Sequence, residues 1–253
     1  MILDVKGVSM NFGGLAALAD IDLQMEANEI RGLIGPNGAG KTTFFNVLMG
    51  VYKPTKGKIF YKNDDITGRK TFEISKKGIS RTFQNIRIFG DMTAKENVMV
   101  GRHNHNRAGL LGAVLRPLKV KKEERDIEEK AEEILKFLNM VDFKDEKAKN
   151  LSYGQQRLLE IGRTMATEAS LLLFDEPSAG MNIKETAYLT DLLRQLRDGG
   201  LTILIVEHDM KMVMSLSDKI TVLHFGRKIA EGTPEAIKRD PAVIDAYLGK
   251  TGH

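Results

Sequence analysis

The segment "GLIGPNGAGKTTFFNVL", residues 32–48, decides the fold. It has the spacing G-x-x-x-x-G-K-[ST] from Gly35 to Thr42, which follows an apolar run and precedes a helical pattern that extends to about Met49. Glycine suits such a loop because it permits the backbone angles that bring successive amide groups around one oxyanion. The segment therefore predicts a strand, a phosphate-binding loop and a helix, which together form a unit of an α/β fold.

The same loop carries side chains that suit a nucleotide. Lys41 is predicted to reach the β- and γ-phosphates, the Thr42 hydroxyl to ligate Mg²⁺, and Thr43 to donate a further hydrogen bond to phosphate. A glycine-rich turn without a ligand is the alternative, but the strand, turn, lysine, hydroxyl and helix all occur in register. The residues of the predicted phosphate site are Gly35, Asn37, Gly38, Ala39, Gly40, Lys41, Thr42 and Thr43.

A pair of acids follows a second apolar run, in "LLLFDEPS" at residues 171–178. Asp175 and Glu176 stand where a buried strand is predicted to end, which is where ligands bind in open α/β sheets. Because successive strand side chains point to opposite sides, the two acids can take different roles. Asp175 is predicted to hold Mg²⁺ and Glu176 to polarise the attacking water. A polar turn that ends the strand is the weaker alternative beside a phosphate site.

Two further polar residues are candidates for the same site. Gln84, in "RTFQN", follows a strand-like run and is predicted to touch the metal or the water. His208, in "VEHDM", directly follows an apolar strand and is predicted to contact the γ-phosphate. The alternative to a functional role is that Gln84 is an ordinary surface glutamine and that His208 is an ordinary histidine at the end of a strand. Their positions after predicted strands are what associate them with the acids.

A second anion site is predicted in "LSYGQQRLLEIGR", residues 151–163. Ser152 and Gly154 stand just before a strongly helical run, and the amide groups and dipole of a helix N-terminus favour negative charge. This segment lies more than a hundred residues after the phosphate loop. The sequence thus raises the question of whose phosphate it binds.

Composition excludes several classes of protein. The 253 residues carry a formal net charge of only +4, which argues against a nucleic-acid partner. There is no cysteine, which excludes disulfides and thiolate metal sites and favours a reducing cytosol. No apolar run approaches the ~20 residues that span a bilayer, and the N-terminal stretch alternates like a strand rather than a signal peptide. Any role at a membrane is therefore expected to need a partner.

The chain is predicted to form one domain over residues 1–253 with two parts. Uninterrupted apolar strands at Leu171–Phe174 and Leu201–Val206 are typical of a parallel sheet that is covered on both faces. A charged helix at Lys121–Met140 has one apolar face, and a further helix starts near Gly154. The interpretation is a strand–helix core interrupted by a helical lobe. The predicted parts are a core of residues 1–86 and 168–253 and a lobe of residues 87–167.

The motifs, in this order, resemble those of the nucleotide-binding subunits of ABC transporters over the whole chain. On that resemblance Gln84 is the Q-loop, and Asp175 and Glu176 are the Walker B acid and the catalytic glutamate. The other matches are Gly35–Thr43 (Walker A), Leu151–Gln156 (signature), Ser178–Asn182 (D-loop) and His208 (switch histidine). The resemblance also implies that Phe12 stacks on adenine, the alternative being a core residue at a strand end.

Finer features resemble the LivG-type cassettes of branched-chain amino-acid importers. They are "NFGGLAAL", a long excursion at residues 102–120, "LSYGQQRLLEIGR", "EPSAGMNIKET", "IVEHDMKMVMSLSDKI" and the ending "AYLG". Two residues depart from the common cassette motifs: Tyr153 stands where glycine is usual in the signature, and Asn182 where aspartate is usual in the D-loop. The alternatives are the motor of a lipid or lipopolysaccharide exporter, an ABC ATPase without a membrane partner, and a P-loop kinase.

The resemblance implies a fold and a reaction. The fold is α/β, with a P-loop core of RecA type and a mostly parallel sheet, an N-terminal antiparallel β subdomain and an inserted α-helical subdomain. The reaction is hydrolysis of ATP with Mg²⁺. Ser152, Gly154 and Gln156 would bind ATP held by a second nucleotide-binding subunit in a head-to-tail sandwich, which answers the question of the second phosphate.

The resemblance also implies partners and a location. The second subunit is another copy or a LivF-like sibling, and permease subunits and, indirectly, a substrate-binding protein complete the assembly. The chain would lie at the cytoplasmic face of the cell membrane. Ile86, Ile88, Phe89 and Met92 are more apolar than a free loop needs, which suggests a docking groove for a short permease helix. Packing of the lobe against the core is the alternative.

Overall fold

The computed structural model describes residues 1–82, 86–102 and 117–248, without the side chains of residues 117–123 and 248. The described strands are β1 (Leu3–Phe12), β2 (Leu15–Met25), β3 (Ile30–Ile34), β4 (Lys56–Tyr61), β5 (Asp64–Asp65), β6 (Ile79–Arg81), β7 (Leu171–Asp175), β8 (Thr202–Val206), β9 (Lys219–His224) and β10 (Arg227–Gly232). The described α-helices are α1 (Lys41–Leu48), α2 (Thr71–Lys77), α3 (Ala94–Arg102), α4 (Pro117–Phe137), α5 (Tyr153–Met165), α6 (Ile183–Asp198), α7 (Met210–Leu216), α8 (Pro234–Arg239) and α9 (Pro241–Leu248).

The central sheet has six strands in the order β10-β9-β3-β8-β7-β6. The strands from β9 to β6 are parallel, and β10 joins β9 as an antiparallel edge hairpin. All residues of β3, β7 and β8 are buried, as expected for strands covered on both faces. Parallel strands end at one edge of the sheet, so the residues that follow β3, β7 and β8 meet there.

The N-terminal part of the chain forms a separate antiparallel sheet in the order β2-β1-β4-β5. The buried face of this sheet shares a hydrophobic core with α1 and with one face of the central sheet. Leu3, Val5 and Val8 of β1 belong to that core. The α/β class with an antiparallel β subdomain, predicted from the sequence, is confirmed.

Helices α3, α4 and α5 lie between β6 and β7 in the chain and pack on one another. On α4, the predicted apolar face is confirmed at Ala131, Ile134 and Leu135, which are buried against α5 and the neighbouring core. The helix begins at Pro117 and ends at Phe137, so it starts and ends before the predicted bounds. Among the described residues, no helix is both long and apolar enough to span a bilayer.

Candidate functional site

The loop after β3 adopts the left-handed backbone angles that were predicted from its glycines. Gly38 and Gly40 have φ angles of +79° and +103°, in the left-handed region that favours glycine. A Cβ atom on Gly40 would lie 2.7 Å from the carbonyl oxygen of Ala17, so the position also lacks room for a side chain. The loop leads into the N-terminus of α1, whose free amide groups and dipole favour an anion.

A cavity of about 500 Å³ opens over this loop. It brings together most of the predicted phosphate site with Glu176 and His208, which follow β7 and β8, whereas Asp175 at the end of β7 is not among the described lining residues. The described residues that line it are Leu15, Ala16, Ala17, Asn37, Gly38, Ala39, Gly40, Lys41, Thr42, Thr43, Glu176, His208, Phe225 and Gly226. Gly35 lies below the loop, where a Cβ atom would lie 2.1 Å from the carbonyl oxygen of Leu223.

The Lys41 amine lies inside the curve of its own loop. Its Nζ donates to the carbonyl oxygens of Gly35, at 2.5 Å, and Pro36, at 3.0 Å. Burial lowers the pKa of Lys41, while the nearby charges of Glu176 and Asp175 act to raise it. Because the Lys41 amine is partly removed from water, its positive charge is screened less and interacts more strongly with a bound phosphate.

The two acids at the end of β7 point to different surroundings. Asp175 is 1% exposed, and its Oδ2 accepts a hydrogen bond of 2.6 Å from Nη2 of Arg81. Glu176 has a φ of +49°, an unusual value for a residue with a side chain, and its amide donates to the carbonyl oxygen of Val206. The chain therefore turns sharply after Asp175, and the Glu176 carboxylate lines the cavity.

Glu176 and His208 contact each other directly. Glu176 Oε1 and His208 Nε2 are 2.6 Å apart, across the ends of the adjacent parallel strands β7 and β8. A carboxylate and an imidazole at this distance can together orient a water molecule and accept a proton from it. The arrangement suits general-base chemistry beside a bound phosphate chain.

The donor set suits Mg²⁺, although protein side chains supply only part of a coordination shell. Thr42 and Asp175 offer a hydroxyl and a carboxylate, the oxygen ligands that Mg²⁺ prefers. Within the described ranges, no group of three or more histidine, aspartate or glutamate residues could hold a metal ion by itself. Mg²⁺ at this site would take further oxygens from nucleotide phosphates and water, which is its usual mode of binding.

Glu207 is a site residue that the sequence reasoning missed. It is buried at the end of β8, and its carboxylate accepts hydrogen bonds from the backbone amides of Ser178, at 2.7 Å, and His208, at 2.9 Å. It thus fixes the loop after Glu176 to the segment that bears His208. The sequence pattern that could have identified Glu207 is an acid directly after an apolar strand, the same pattern that identified Asp175 and Glu176.

The signature segment lies outside this cavity. Ser152 is the N-cap of α5, where its Oγ accepts from the amide of Gln155 and its amide donates to Gln155 Oε1. Gln156 donates to the carbonyl oxygens of Ala148 and Leu151, so its side chain amide is used within this chain. None of the described residues that line the cavity comes from the signature.

Phe12, which was predicted to stack on adenine, is not among the described residues that line the cavity. The ring of Phe12 is partly exposed and makes an edge contact with Tyr52, with 5.1 Å between ring centroids. Among the described cavity residues, Leu15 and Phe225 are the large apolar side chains. Gln84 lies outside the described residues, so its role stays a prediction.

Comparison with known proteins identifies the family. A family model described as ABC transporter matches residues 18–179, and one described as branched-chain amino acid ATP-binding cassette transporter matches residues 227–253. The chain belongs to the ABC transporter family. ATP hydrolysis is the activity of these ATP-binding subunits, so the predicted family, fold and enzyme class are confirmed.

Relatives of this ABC cassette match it over nearly its whole length. The chain is 46% identical to the high-affinity branched-chain amino acid transport ATP-binding protein BraF of Pseudomonas aeruginosa and 43% identical to its LivG counterpart of Escherichia coli, covering 98% of each protein and of itself. A nucleotide-free ATP-binding cassette of an ABC transporter superposes with a TM-score of 0.85 at 34% identity, covering 98% of this chain and 99% of that one. A dimeric cassette in a post-hydrolysis state, with ADP and Pi bound, superposes with a TM-score of 0.77 at 26% identity, covering 92% and 99%.

Proposed function

We propose that this chain is the ATP-binding and ATP-hydrolysing subunit of an importer of branched-chain amino acids. The observation that carries the proposal is 46% identity over 98% of the chain to a protein named for that transport. The match of residues 227–253 to a family model of the same transport class supports it independently of the general cassette motifs. The substrate would be selected by other subunits, since the cavity of this chain is built for phosphate.

The cavity residues support a division of roles during hydrolysis. Lys41 and the loop amides would hold the phosphates, while Thr42 and Asp175 would hold Mg²⁺ with the phosphate oxygens. Glu176 would activate the water, and His208, 2.6 Å away, would orient that carboxylate and contact the γ-phosphate. The proposed roles of Gln84, at the metal or water, and of Phe12, at adenine, remain as predicted from the sequence.

A second nucleotide-binding subunit is proposed to complete the reaction centre. The signature Ser152 is exposed at a helix N-terminus and does not line the cavity of its own chain. With Gly154 and Gln156 it would face the γ-phosphate of ATP held by a second copy or a LivF-like sibling, in a head-to-tail pair. ATP would then favour the closed pair because its γ-phosphate contacts both chains, and hydrolysis would remove that preference.

A groove beside β6 supports a docking site for a permease subunit. It has a volume of about 620 Å³, and Ile88, Phe89 and Val100 line its apolar part. The guanidinium of Arg163 lies over the Phe89 ring, 5.6 Å from its centroid, and leaves much of the ring exposed. A short apolar helix with polar ends fits such a surface. Docking there would hold the chain at the cytoplasmic face of the membrane, with the helical region at residues 87–167 as the docking subdomain.

The experiment is an uptake measurement in the host cell. Replacing the chromosomal copy with Glu176→Gln is expected to abolish uptake of labelled leucine, isoleucine and valine at low external concentration, while uptake of labelled lysine stays at the parent rate. Normal branched-chain uptake in that strain would contradict the proposal. If branched-chain uptake is normal and lipopolysaccharide export is reduced, the chain is the motor of an exporter.

A further inference from the structure

The signature turn of this chain lies against its own D-loop. A Cβ atom placed on Gly180 would lie 2.7 Å from Cε1 and 3.1 Å from Cζ of Tyr153, so the tyrosine ring rests on the glycine backbone. Gly180 has a φ of +78°, which glycine adopts without strain. Because Tyr153 is 48% exposed, the ring is not buried in a core, and its contact with Gly180 joins two surface segments.

A carboxylate makes a second contact between the same segments. Glu185 Oε2 accepts from the amide of Asn182 at 2.9 Å, while Asn182 Oδ1 accepts from the amides at the start of α6. The other oxygen of Glu185 would lie 2.5 Å from a Cβ atom placed on Gly154, at the N-terminus of α5. One side chain therefore closes the capping box of α6 and contacts the signature, where the dipole of α5 favours its negative charge.

The D-loop is also tied to the hydrolytic residues of its own chain. It begins at Ser178, two residues after Glu176, whose carbonyl oxygen accepts from the amide of Ala179 at 3.2 Å. Glu207 holds the Ser178 amide at 2.7 Å. A displacement of the loop at Gly180 would thus reach the turn that aims the Glu176 carboxylate.

We propose that Tyr153 and Glu185 are positioning residues that hold the signature and the D-loop of one chain as a single unit. The inference rests on the proposed function, in which the signature binds the nucleotide of a second subunit. A shift of the signature on that nucleotide is then transmitted through the Tyr153–Gly180 contact to the turn at Glu176. Both departures from the common cassette motifs, Tyr153 and Asn182, lie in these two contacts.

The contact is tested first in the isolated full chain without nucleotide, by hydrogen–deuterium exchange. Tyr153→Ala is expected to raise exchange of the D-loop amides, residues 178–182, about fivefold, because the loop loses an aromatic contact. Tyr153→Phe keeps the ring and is expected to match the parent. Tyr188→Ala is the control, because Tyr188 lies on α6 and its hydroxyl bonds instead to Asn139.

A double-mutant cycle separates the contact from general loss of structure. Gly180→Ala introduces a clash with the Tyr153 ring as well as backbone strain, and only the clash depends on the ring. In the Tyr153→Ala background, Gly180→Ala is therefore expected to raise D-loop exchange less than it does in the parent. Additive effects of the two substitutions would overturn the contact.

The consequence is tested in the Glu176→Gln background with ATP, by the dissociation constant of the nucleotide-dependent pair in sedimentation velocity. Tyr153→Ala is expected to weaken the pair about fivefold to tenfold while the ATP affinity of the isolated chain changes less than twofold. Raised D-loop exchange with unchanged pairing would overturn transmission through the contact. If the parent does not pair with itself in the presence of ATP, the second-copy form of the proposed pair fails, whereas the exchange results still decide the contact.

Discussion

The buried ion pair between Arg81 and Asp175 allows a prediction about stability with a magnitude. The guanidinium lies at the end of β6, donates 2.6 Å to Asp175 Oδ2 and 2.7 Å to Asn46 Oδ1, and lies over the Phe45 ring. The exposed fractions of the two side chains are 9% for Arg81 and 1% for Asp175. Arg81→Met keeps most of the side-chain volume and removes the charge, so it leaves a buried carboxylate without its cation.

Breaking a buried pair in this way costs about 3–5 kcal/mol of the free energy of unfolding, because the remaining charge is desolvated without compensation. A chain of this size loses about 2–4 °C in Tm for each kcal/mol, so Arg81→Met is expected to lower the Tm by about 6–20 °C. Replacing both partners, Arg81→Met with Asp175→Asn, removes the unpaired charge. The double variant is therefore expected to recover at least half of the lost stability.

The assay is thermal and urea unfolding followed by far-ultraviolet circular dichroism. Lys130→Met is the matched control, since Lys130 pairs with Glu133 at 2.8 Å on the exposed surface of α4. Exposed pairs contribute about 0–1 kcal/mol, so this variant is expected to change the Tm by no more than about 4 °C. Equal losses for Arg81→Met and Lys130→Met, or no recovery in the double variant, would refute the argument from burial.

Two predictions concern catalysis. Glu176→Gln keeps the shape of the side chain and removes the base, so ATP hydrolysis is expected to fall at least about 100-fold. Nucleotide affinity, measured by titration with a fluorescent ATP analogue, is expected to stay near the parent value, and an ATP-bound dimer is expected to accumulate. A normal turnover rate would show that Glu176 is not the base. Ser152→Arg is expected to leave nucleotide binding to the isolated chain unchanged, because Ser152 does not line the cavity of its own chain. It is expected to block hydrolysis, because the signature is proposed to complete the reaction centre of a second subunit. Loss of binding in the monomer would place residue 152 in the pocket of its own chain.

Much of the fold follows from local sequence patterns. The strands predicted at Leu171–Phe174 and Leu201–Val206 are observed as β7, which ends one residue later, and β8, which begins one residue later. Uninterrupted apolar runs of this length are typical of strands that are buried on both faces. Helices α2 and α7, with seven residues each, were not predicted, since two turns are too short to show a helical period above the background.

The cavity was predicted in part for a topological reason. Residues that closely follow parallel strands must meet at one sheet edge, so Glu176 and His208 could be grouped with the phosphate loop before their distance was known. Arg81 was not identified, because its partner Asp175 lies 94 residues away along the chain and no local spacing marks an ion pair of that kind. Phe225 was missed for the same reason, since it reaches the cavity from the turn between β9 and β10.

The cap residues mark the point at which sequence rules cannot separate structure from function. Ser152 and Asn182 begin α5 and α6 with the same capping box, so both read as ordinary helix starts.

The hydrogen bonds of Ser152 and Asn182 differ in the structure. The Ser152 oxygen accepts one amide, and its own hydrogen is not used by that bond, so a serine can cap the helix and still donate to a phosphate. Asn182 Oδ1 accepts two amides of α6 and its backbone amide is held by Glu185, which commits this residue to its own helix. An acid at position 152 would cap equally well but has no hydrogen to donate when ionised. Under the proposed function, a phosphate that accepts this hydrogen gives a reason for serine at position 152, whereas Asn182 Oδ1 and the Asn182 backbone amide are both bonded at the start of their own helix.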